Sequence, residues 1–373
     1  MGTVFQFPFR TVAEVSLSRL VRNLVALRNL SEKEVIPVIK ADAYGHGLFP
    51  VARALVSRGC TELLAVATLE EALEIRKRLS SVGILVLSGF FPHQIEAYIK
   101  NHIIPVIHSL NQLRAMTGRT RIPTYHIKID TGMSRLGIPF DEIDEVIRIV
   151  QRLPDKISGL ATHLSESERV SSRFSDEQIA TFEAVYRRLL EARVVNTDAR
   201  IHVANSGGIF NKKLGPATAV RAGLSLFGVS PNEALSTEGL IHPILEWKTR
   251  VLSLKDIPAG TSVGYNRTYR SKRGERLAIL PVGYGDGYPR LLSNCGEVLV
   301  FGKRAPVRGI VSMDLIAIDV THIPNVKEGT SATLLGKNGK DELGAWELAR
   351  WAKTIPYEIF CGLSTRVPRL YFE

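Results

Sequence analysis

Cysteine is scarce in this chain. Cys60, Cys295 and Cys361 are the only three in 373 residues, and their scatter excludes a disulfide framework and any paired zinc-ligand spacing. No metal is therefore implied. There is no apolar run of membrane-spanning length. The opening stretch Met1 to Arg10 lacks the basic-then-apolar layout of a signal peptide, so a cytoplasmic protein with no membrane partner is expected. No glycine fingerprint follows the first strand-like run, which argues against a dinucleotide-binding open sheet. The net charge of +11 is spread along the chain and no nucleic-acid motif accompanies it. That charge suits anionic metabolites as well as it suits nucleic acid, and no nucleic-acid partner is expected. With 45% apolar and 23% charged residues the composition is that of a globular protein, and the length calls for one large domain plus a smaller one.

A repeating rhythm is present instead. Short apolar runs end near Lys40, Thr68, Ser88, His108, Lys128, His163, Asn205 and Arg221, and amphipathic stretches lie between them. Leu17, Leu20, Leu24 and Leu27 give a helix over Leu17–Leu30. Thr68 with Glu71 three residues on reads as a capping box for a helix over Leu69–Leu79. Ser175 is the expected cap of a helix over Asp176–Arg193. Alternating strands and helices predict a parallel sheet, and eight such units predict a closed α/β barrel of the (β/α)8, TIM type. In such a barrel the site lies at the C-terminal ends of the strands. Lys40, Lys128, His163, Asn205 and Arg221 thereby acquire one address despite their separation in sequence.

Lys40 follows the run Val35 to Ile39. Most lysines after a strand are solvated surface charges. At the rim of a barrel core, however, an amine loses solvation and its neutral, nucleophilic form comes within reach. That form makes a Schiff base with an aldehyde, pyridoxal 5'-phosphate (PLP) above all.

After about residue 235 the rhythm stops. Short aliphatic segments separated by turn signals, over Ile244–Leu252, Arg276–Leu280, Glu297–Phe301, Ala305–Val311, Leu315–Val320 and Ser331–Leu335, predict a mostly-β domain with one helix at Leu343–Lys353. The expected boundaries are residues 10–238 for the barrel and 239–373 for the β-domain, with Met1–Phe9 packing on the latter.

The motifs VIKADAYGHG (38–47), HIKIDTGMSRLG (126–137), THLSES (162–167), ANSGG (204–208), VRAGLSLFG (220–228), VGYNRTY (263–269), VGYGDGYPR (282–290), SMD (312–314) and PYEIFCGLSTRVPR (356–369) resemble those of alanine racemases, in that family's order and over nearly the whole chain. The resemblance implies a PLP-dependent isomerase that interconverts L- and D-alanine for peptidoglycan synthesis, working as a homodimer with a site shared between subunits. Inverting a stereocentre needs an acid/base group on each face. By resemblance Lys40 serves one face and Tyr265, from the partner subunit, the other. A tyrosine is a poor base at its ordinary pKa of about 10, and the family sets a histidine and an arginine behind it, here His163 and Arg221. The same Arg221 matches the residue at the pyridine nitrogen. An arginine does not readily release a proton, so the ring nitrogen stays unprotonated and side reactions are limited.

The resemblance further assigns the cofactor's surroundings to Tyr44, His163, Asn205, Ser206, Arg221, Gly223, Leu224 and Tyr357, and the substrate carboxylate to Arg135 and the Met313 N–H. Lys128 matches a lysine that many members carbamylate with CO2, and Asp314 is expected to order the Met313 loop. Two positions depart from the pattern: Ser16 stands where aspartate is usual and Ser312 where cysteine is common. A racemase of broader specificity, for serine or others, is one alternative. A barrel-type PLP decarboxylase is a second, disfavoured by Arg221 and Tyr265. A PLP carrier without racemase activity is a third, disfavoured by the second domain.

Overall fold

The structure, a computed structural model of the chain, describes residues 8–237 and 239–373. The eight expected strands are β1 (Glu34–Pro37), β2 (Leu63–Val66), β3 (Gly83–Val86), β4 (Ile104–Ile107), β5 (His126–Asp130), β6 (Ile157–Ala161), β7 (Val195–His202) and β8 (Ala219–Ala222). Each pairs in parallel with its chain neighbour from β2 through β8. Strand β8 returns to β1 with Val220 opposite Val35. A bridge from Val38 to Ala65 joins the exit of β1 to β2. The result is a near-closed parallel barrel of eight strands. Seven of the eight are only four or five residues long and almost wholly buried. That burial on both faces is why they read as continuous apolar runs rather than as alternating ones.

The helices between the strands follow the expected stripes. Leu17–Ser31 buries Leu17, Leu20, Leu24 and Leu27. Leu69–Arg76 opens on the predicted capping box, with the Glu71 N–H donating to Thr68 Oγ1 and the Glu71 carboxylate accepting from the Thr68 N–H. The third helix corrects the expectation. It runs over Arg173–Glu191 and its cap is Ser172, whose hydroxyl accepts from the Ser175 N–H. The buried stripe is Ser175, Gln178, Phe182, Val185 and Leu189. Ser175 is thus the first residue of the apolar face, and the cap must precede it by three.

The chain divides into two compact units. The barrel unit comprises Leu20–Ala43 and Leu48–His242. The other takes the chain up to Arg19, Tyr44–Gly47 and Pro243–Glu373. Its sheet runs, in spatial order, Ser253–Ile257, Glu275–Leu280, Ile316–Asp319, Lys303–Arg308, Glu297–Val300, Ser331–Asn338, Leu245–Arg250, Thr11–Ser16 and Arg369–Phe372, with Asp341–Leu343 beside Ser331–Asn338. Thr11–Ser16 pairs antiparallel with Leu245–Arg250 and parallel with Arg369–Phe372. The sequence SLKDI at 253–257 escaped prediction because it is half-exposed and mostly polar. The expected helix is Ala345–Trp351. Of the Met1–Phe9 segment, residues 1–7 lie outside the described residues. Just beyond it Arg10 pairs with the buried Asp286 at 2.5 Å. Among the described residues no helix is long and apolar enough to cross a membrane.

Candidate active site

Lys40 lies three residues past β1, His163 two past β6 and Asn205 three past β7, while Lys128 and Arg221 lie within β5 and β8. Arg221 organises the group. Its Nη1 donates to His202 Nδ1 (2.8 Å) and to the His202 carbonyl (2.5 Å). Its Nη2 donates to the carbonyls of Thr162 (2.7 Å) and Val203 (3.0 Å) and lies 3.2 Å from His163 Nδ1. Five acceptors therefore occupy the terminal nitrogens, whereas the Nε–H has no partner among the described residues. No carboxylate of the described residues joins the set. Burial brings the guanidinium down to about 10, so it keeps its charge at neutral pH.

A permanent donor dictates the tautomers of its neighbours. His202 must accept at Nδ1, so its Nε2 carries the proton and donates to His126 Nδ1 at 2.9 Å. His163 must likewise accept at Nδ1, which leaves its Nε2–H to donate away from the arginine. All three imidazoles are held neutral. Burial and then the cations Arg200 and Arg221 push His126 down to about 3. His202 lies well below the ordinary value through burial and Arg221 first. His163 does so through burial, then Arg221, Lys128, Arg135 and Lys40. Gly159 makes room for this chain: a Cβ there would stand 2.4 Å from the His126 ring.

Lys128 shares a face of β5 with His126, two residues away. Burial, then Arg221 and Arg135, pull its amine down to about 8, with Asp130 opposing. Asp130 shapes the next loop by accepting from the N–H groups of Gly132, Met133 and Ser134. Arg135 stands exposed just beyond that turn. Gly137 closes the loop at φ 132°, where a Cβ would lie 2.6 Å from the Asp130 nitrogen.

The backbone after Lys40 is unusual. Ala41, Asp42, Ala43 and Tyr44 all have φ between 52° and 54°, a left-handed turn closed by the Ala43 N–H on the Ile39 carbonyl. Each non-glycine residue in that conformation costs roughly 1–2 kcal/mol. The Asp42 carboxylate accepts from the Leu48 N–H at 2.7 Å, and the Glu71 carboxylate from the Ala41 N–H at 2.6 Å. Strain of this kind concentrates at functional sites.

Past β7, Asn205 caps the short helix Ser206–Phe210 by accepting from the Gly208 N–H, and it also receives the Ser167 hydroxyl at 2.5 Å. Ser206 Oγ meets the N–H groups of Gly223 (3.2 Å) and Ser225 (3.4 Å) at the start of the turn Leu224–Phe227. The Ser225 hydroxyl is buried with no partner among the described residues. Hydroxyls and N–H groups converge here, as an anion requires.

Four of the expected residues lie in the other unit. Tyr44 is buried and faces Tyr357, with ring centroids 5.8 Å apart. Tyr265 is 69% exposed, on the loop between the paired strands Ser262–Val263 and Tyr269–Arg270. Asn294 braces this hairpin through Thr268 Oγ1 and the Gly309 N–H. Below it Tyr269 donates to Glu275 at 2.7 Å, and Arg308 covers the Tyr269 ring. Met313 is also exposed, in a loop that Ser312 and Leu315 close reciprocally. Its carbonyl accepts from the Gly285 N–H, whereas its own N–H donates to nothing among the described residues. Asp314 pairs with Arg366 at 2.6 Å.

The sequence reading missed His126, His202 and the tether from Glu71 to Ala41. The i, i+2 spacing of His126 and Lys128 was a signal for the first. The other two depend on pairings 19 and 30 residues apart that no local pattern carries.

Residues 15–231 match the alanine racemase N-terminal domain and residues 244–371 the alanine racemase C-terminal domain. The chain is 42% identical to an alanine racemase of Halothermothrix orenii, covering 97% of this chain and 96% of that one. It is 38% identical to one of Geobacter sulfurreducens, covering 97% of each. Among solved structures it is similar to an alanine racemase of Bartonella henselae with covalently bound pyridoxal phosphate, with a TM-score of 0.88 at 30% identity over 98% of this chain and 100% of the other. It is also similar to one of Bacillus anthracis with bound L-Ala-P, with a TM-score of 0.88 at 32% identity over 99% and 96%.

Proposed function

The chain belongs to the alanine racemase family, PLP-dependent isomerases that interconvert L- and D-alanine, and on that premise we propose that Lys40 and Tyr265 are its two bases, the tyrosine coming from the partner subunit. The observation that carries the assignment is Arg221, a buried cation that, among the described residues, has no carboxylate beside it and one N–H left over. A buried charge without a counter-ion is costly, and an anionic ligand relieves that cost.

The residues fit the cofactor. Arg221 Nε–H faces the demand of an unprotonated ring nitrogen. Ser206 with the N–H groups of Gly223 and Leu224 suits phosphate, and the family's pattern adds Tyr44 and Tyr357. Asn205 holds that segment in place. Lys40 is the group that condenses with the aldehyde. When bound, PLP supplies the electron sink that acidifies the α-C–H of the attached amino acid.

The protein's own part is to move a proton from one face to the other. Lys40 takes or returns it on one face, and the phenol oxygen of Tyr265 of the partner subunit does so on the other. His163, fixed by Arg221 with its proton on Nε2, donates to that oxygen and favours its anionic form. Arg135 and the Met313 N–H bind the substrate carboxylate. The exposure of Tyr265 and Met313 supports a homodimer in which a second chain covers them. Lys128, drawn down to about 8, has a usable neutral fraction at neutral pH, the form that adds CO2. A carbamate there would turn repulsion from Arg135 and Arg221 into attraction. The D-alanine produced is assigned to peptidoglycan synthesis.

The test is a coupled assay of L-alanine formed from D-alanine, run beside serine and lysine. Turnover highest on alanine is expected. Absence of L-alanine, or release of CO2 from ornithine or lysine, would overturn the assignment.

A further inference from the structure

Glu71 caps a helix, but its carboxylate is engaged well beyond that task. Oε2 accepts from the N–H groups of Ala67 (2.8 Å) and Thr68 (3.2 Å), which is the cap. Oε1 is turned the other way and accepts from the N–H of Ala41 at 2.6 Å. That N–H belongs to the peptide bond of Lys40. Because a peptide unit is planar, holding its N–H also fixes the plane of the Lys40 carbonyl and with it the lysine's ψ.

The left-handed turn that follows is uphill for alanine and aspartate. Two of its tethers are local: Ala43 to Ile39, and Leu48 to Asp42. The bond from Glu71 ties its first peptide to another barrel element, the exit of β2. A helix cap alone needs a single acceptor oxygen; the second oxygen serves the lysine.

We propose that Glu71 is a positioning residue for Lys40. It anchors the Lys40–Ala41 peptide to the β2 exit and so keeps the amine in reach of the reacting carbon after the lysine has left the cofactor. This rests on the reading of Lys40 as the cofactor lysine. Loss of the anchor should therefore act on capture and turnover more than on the fit of the pocket.

The discriminating variant is Glu71→Gln. An amide has one acceptor oxygen, so it can keep the cap or the Ala41 bond but must turn an NH2 group against the other N–H. Apoenzyme is mixed with PLP, and Schiff-base formation is followed by absorbance. Borohydride reduction and peptide mass spectrometry then locate the adduct. Binding of pyridoxamine phosphate, which has no aldehyde, reports the pocket without the lysine.

Glu71→Gln should capture PLP and turn over alanine about 10- to 100-fold more slowly, the scale of a misplacement near 1 Å. Its affinity for pyridoxamine phosphate and its KM should stay at the parental values. Thr68→Ala, which removes the reciprocal half of the cap and leaves the Glu71 carboxylate, should lower Tm and change neither rate. Parental capture and turnover in Glu71→Gln would overturn the proposal. So would a parallel loss of pyridoxamine phosphate affinity, or equal slowing in Thr68→Ala, since either marks a general effect on folding. If the parent protein forms no adduct at Lys40, the assignment of that lysine fails instead.

Discussion

The two proposed bases are presented in opposite ways. Lys40 leaves a buried parallel strand through a strained turn, among cations and neutral histidines in the barrel unit. Tyr265 projects from a short hairpin in the other unit, with its ring largely in solvent. The difference extends to what surrounds each. The barrel gathers Arg221, Lys128 and Lys40 around His163 with no carboxylate on the arginine. Arginine–acid pairs occur in the other unit, Arg366 with Asp314, Arg308 with Asp319, and Arg304 with Glu297, Asp341 and Glu347, as they do on the barrel's outside, where Arg200 meets Glu34 and Arg114 meets Glu145. Ion pairs of that kind brace elements, whereas the buried Arg221 guanidinium, with no carboxylate of the described residues on it, makes a place for an anion.

Replacing one base at a time sharpens that contrast most. Lys40→Ala should lose both covalent capture of PLP and racemisation. Tyr265→Phe should keep PLP absorbance while racemisation falls by about 10²- to 10⁴-fold, the usual weight of a positioned acid/base group. Mixing the two variants probes the sharing of sites. A hybrid dimer has one intact pair, so random exchange should restore about a quarter of parental activity. No recovery, with exchange confirmed, would break the shared-site reading.

The next effect concerns the missing carboxylate. Arg221→Glu places an acid at the cationic centre and should favour a protonated ring nitrogen. Racemisation should drop and pyridoxamine phosphate should accumulate with alanine, detected by chromatography. Racemisation unchanged in that variant would remove Arg221 from its assigned place.

A smaller effect is stability against pH. His126 at about 3, His108 at about 4, and the buried His163 and His202 all lie below their unfolded value near 6.5. Between those values the unfolded chain binds more protons than the folded one. Stability is therefore full above about pH 6.5 and falls as pH drops below it, by up to about 1.4 kcal/mol per pH unit for each histidine. Tm should decline from pH 7 to 5, less steeply in His126→Gln. An equal slope in that variant would assign the pH dependence elsewhere. Smallest of all, Ser172→Ala removes a helix cap and should cost about 1 kcal/mol with turnover unchanged, whereas Ser175→Ala should cost less.

Much of this was legible in advance. Eight apolar runs with polar residues at their ends announced the barrel, because a strand buried on both faces leaves an apolar signature that needs no partner to be read. The β-domain was less legible: the edge strand SLKDI at 253–257 has no apolar stripe, and Thr11–Ser16 joins a sheet whose other strands lie more than 200 residues away. Within the site, Lys40 and Arg221 stood out by motif, whereas His202, Glu71 and the leftover Nε–H emerge only when distant segments meet.

Sequence alone determined the strand count, the residues at the strand exits and the family, because burial and backbone needs constrain residue type one position at a time. Tertiary structure decided which nitrogen of His163 carries its proton, how far burial among cations shifts Lys128, and which carboxylate steadies the peptide after Lys40. Those are properties of pairs and cages, and a pair has no energy until folding has set its distance.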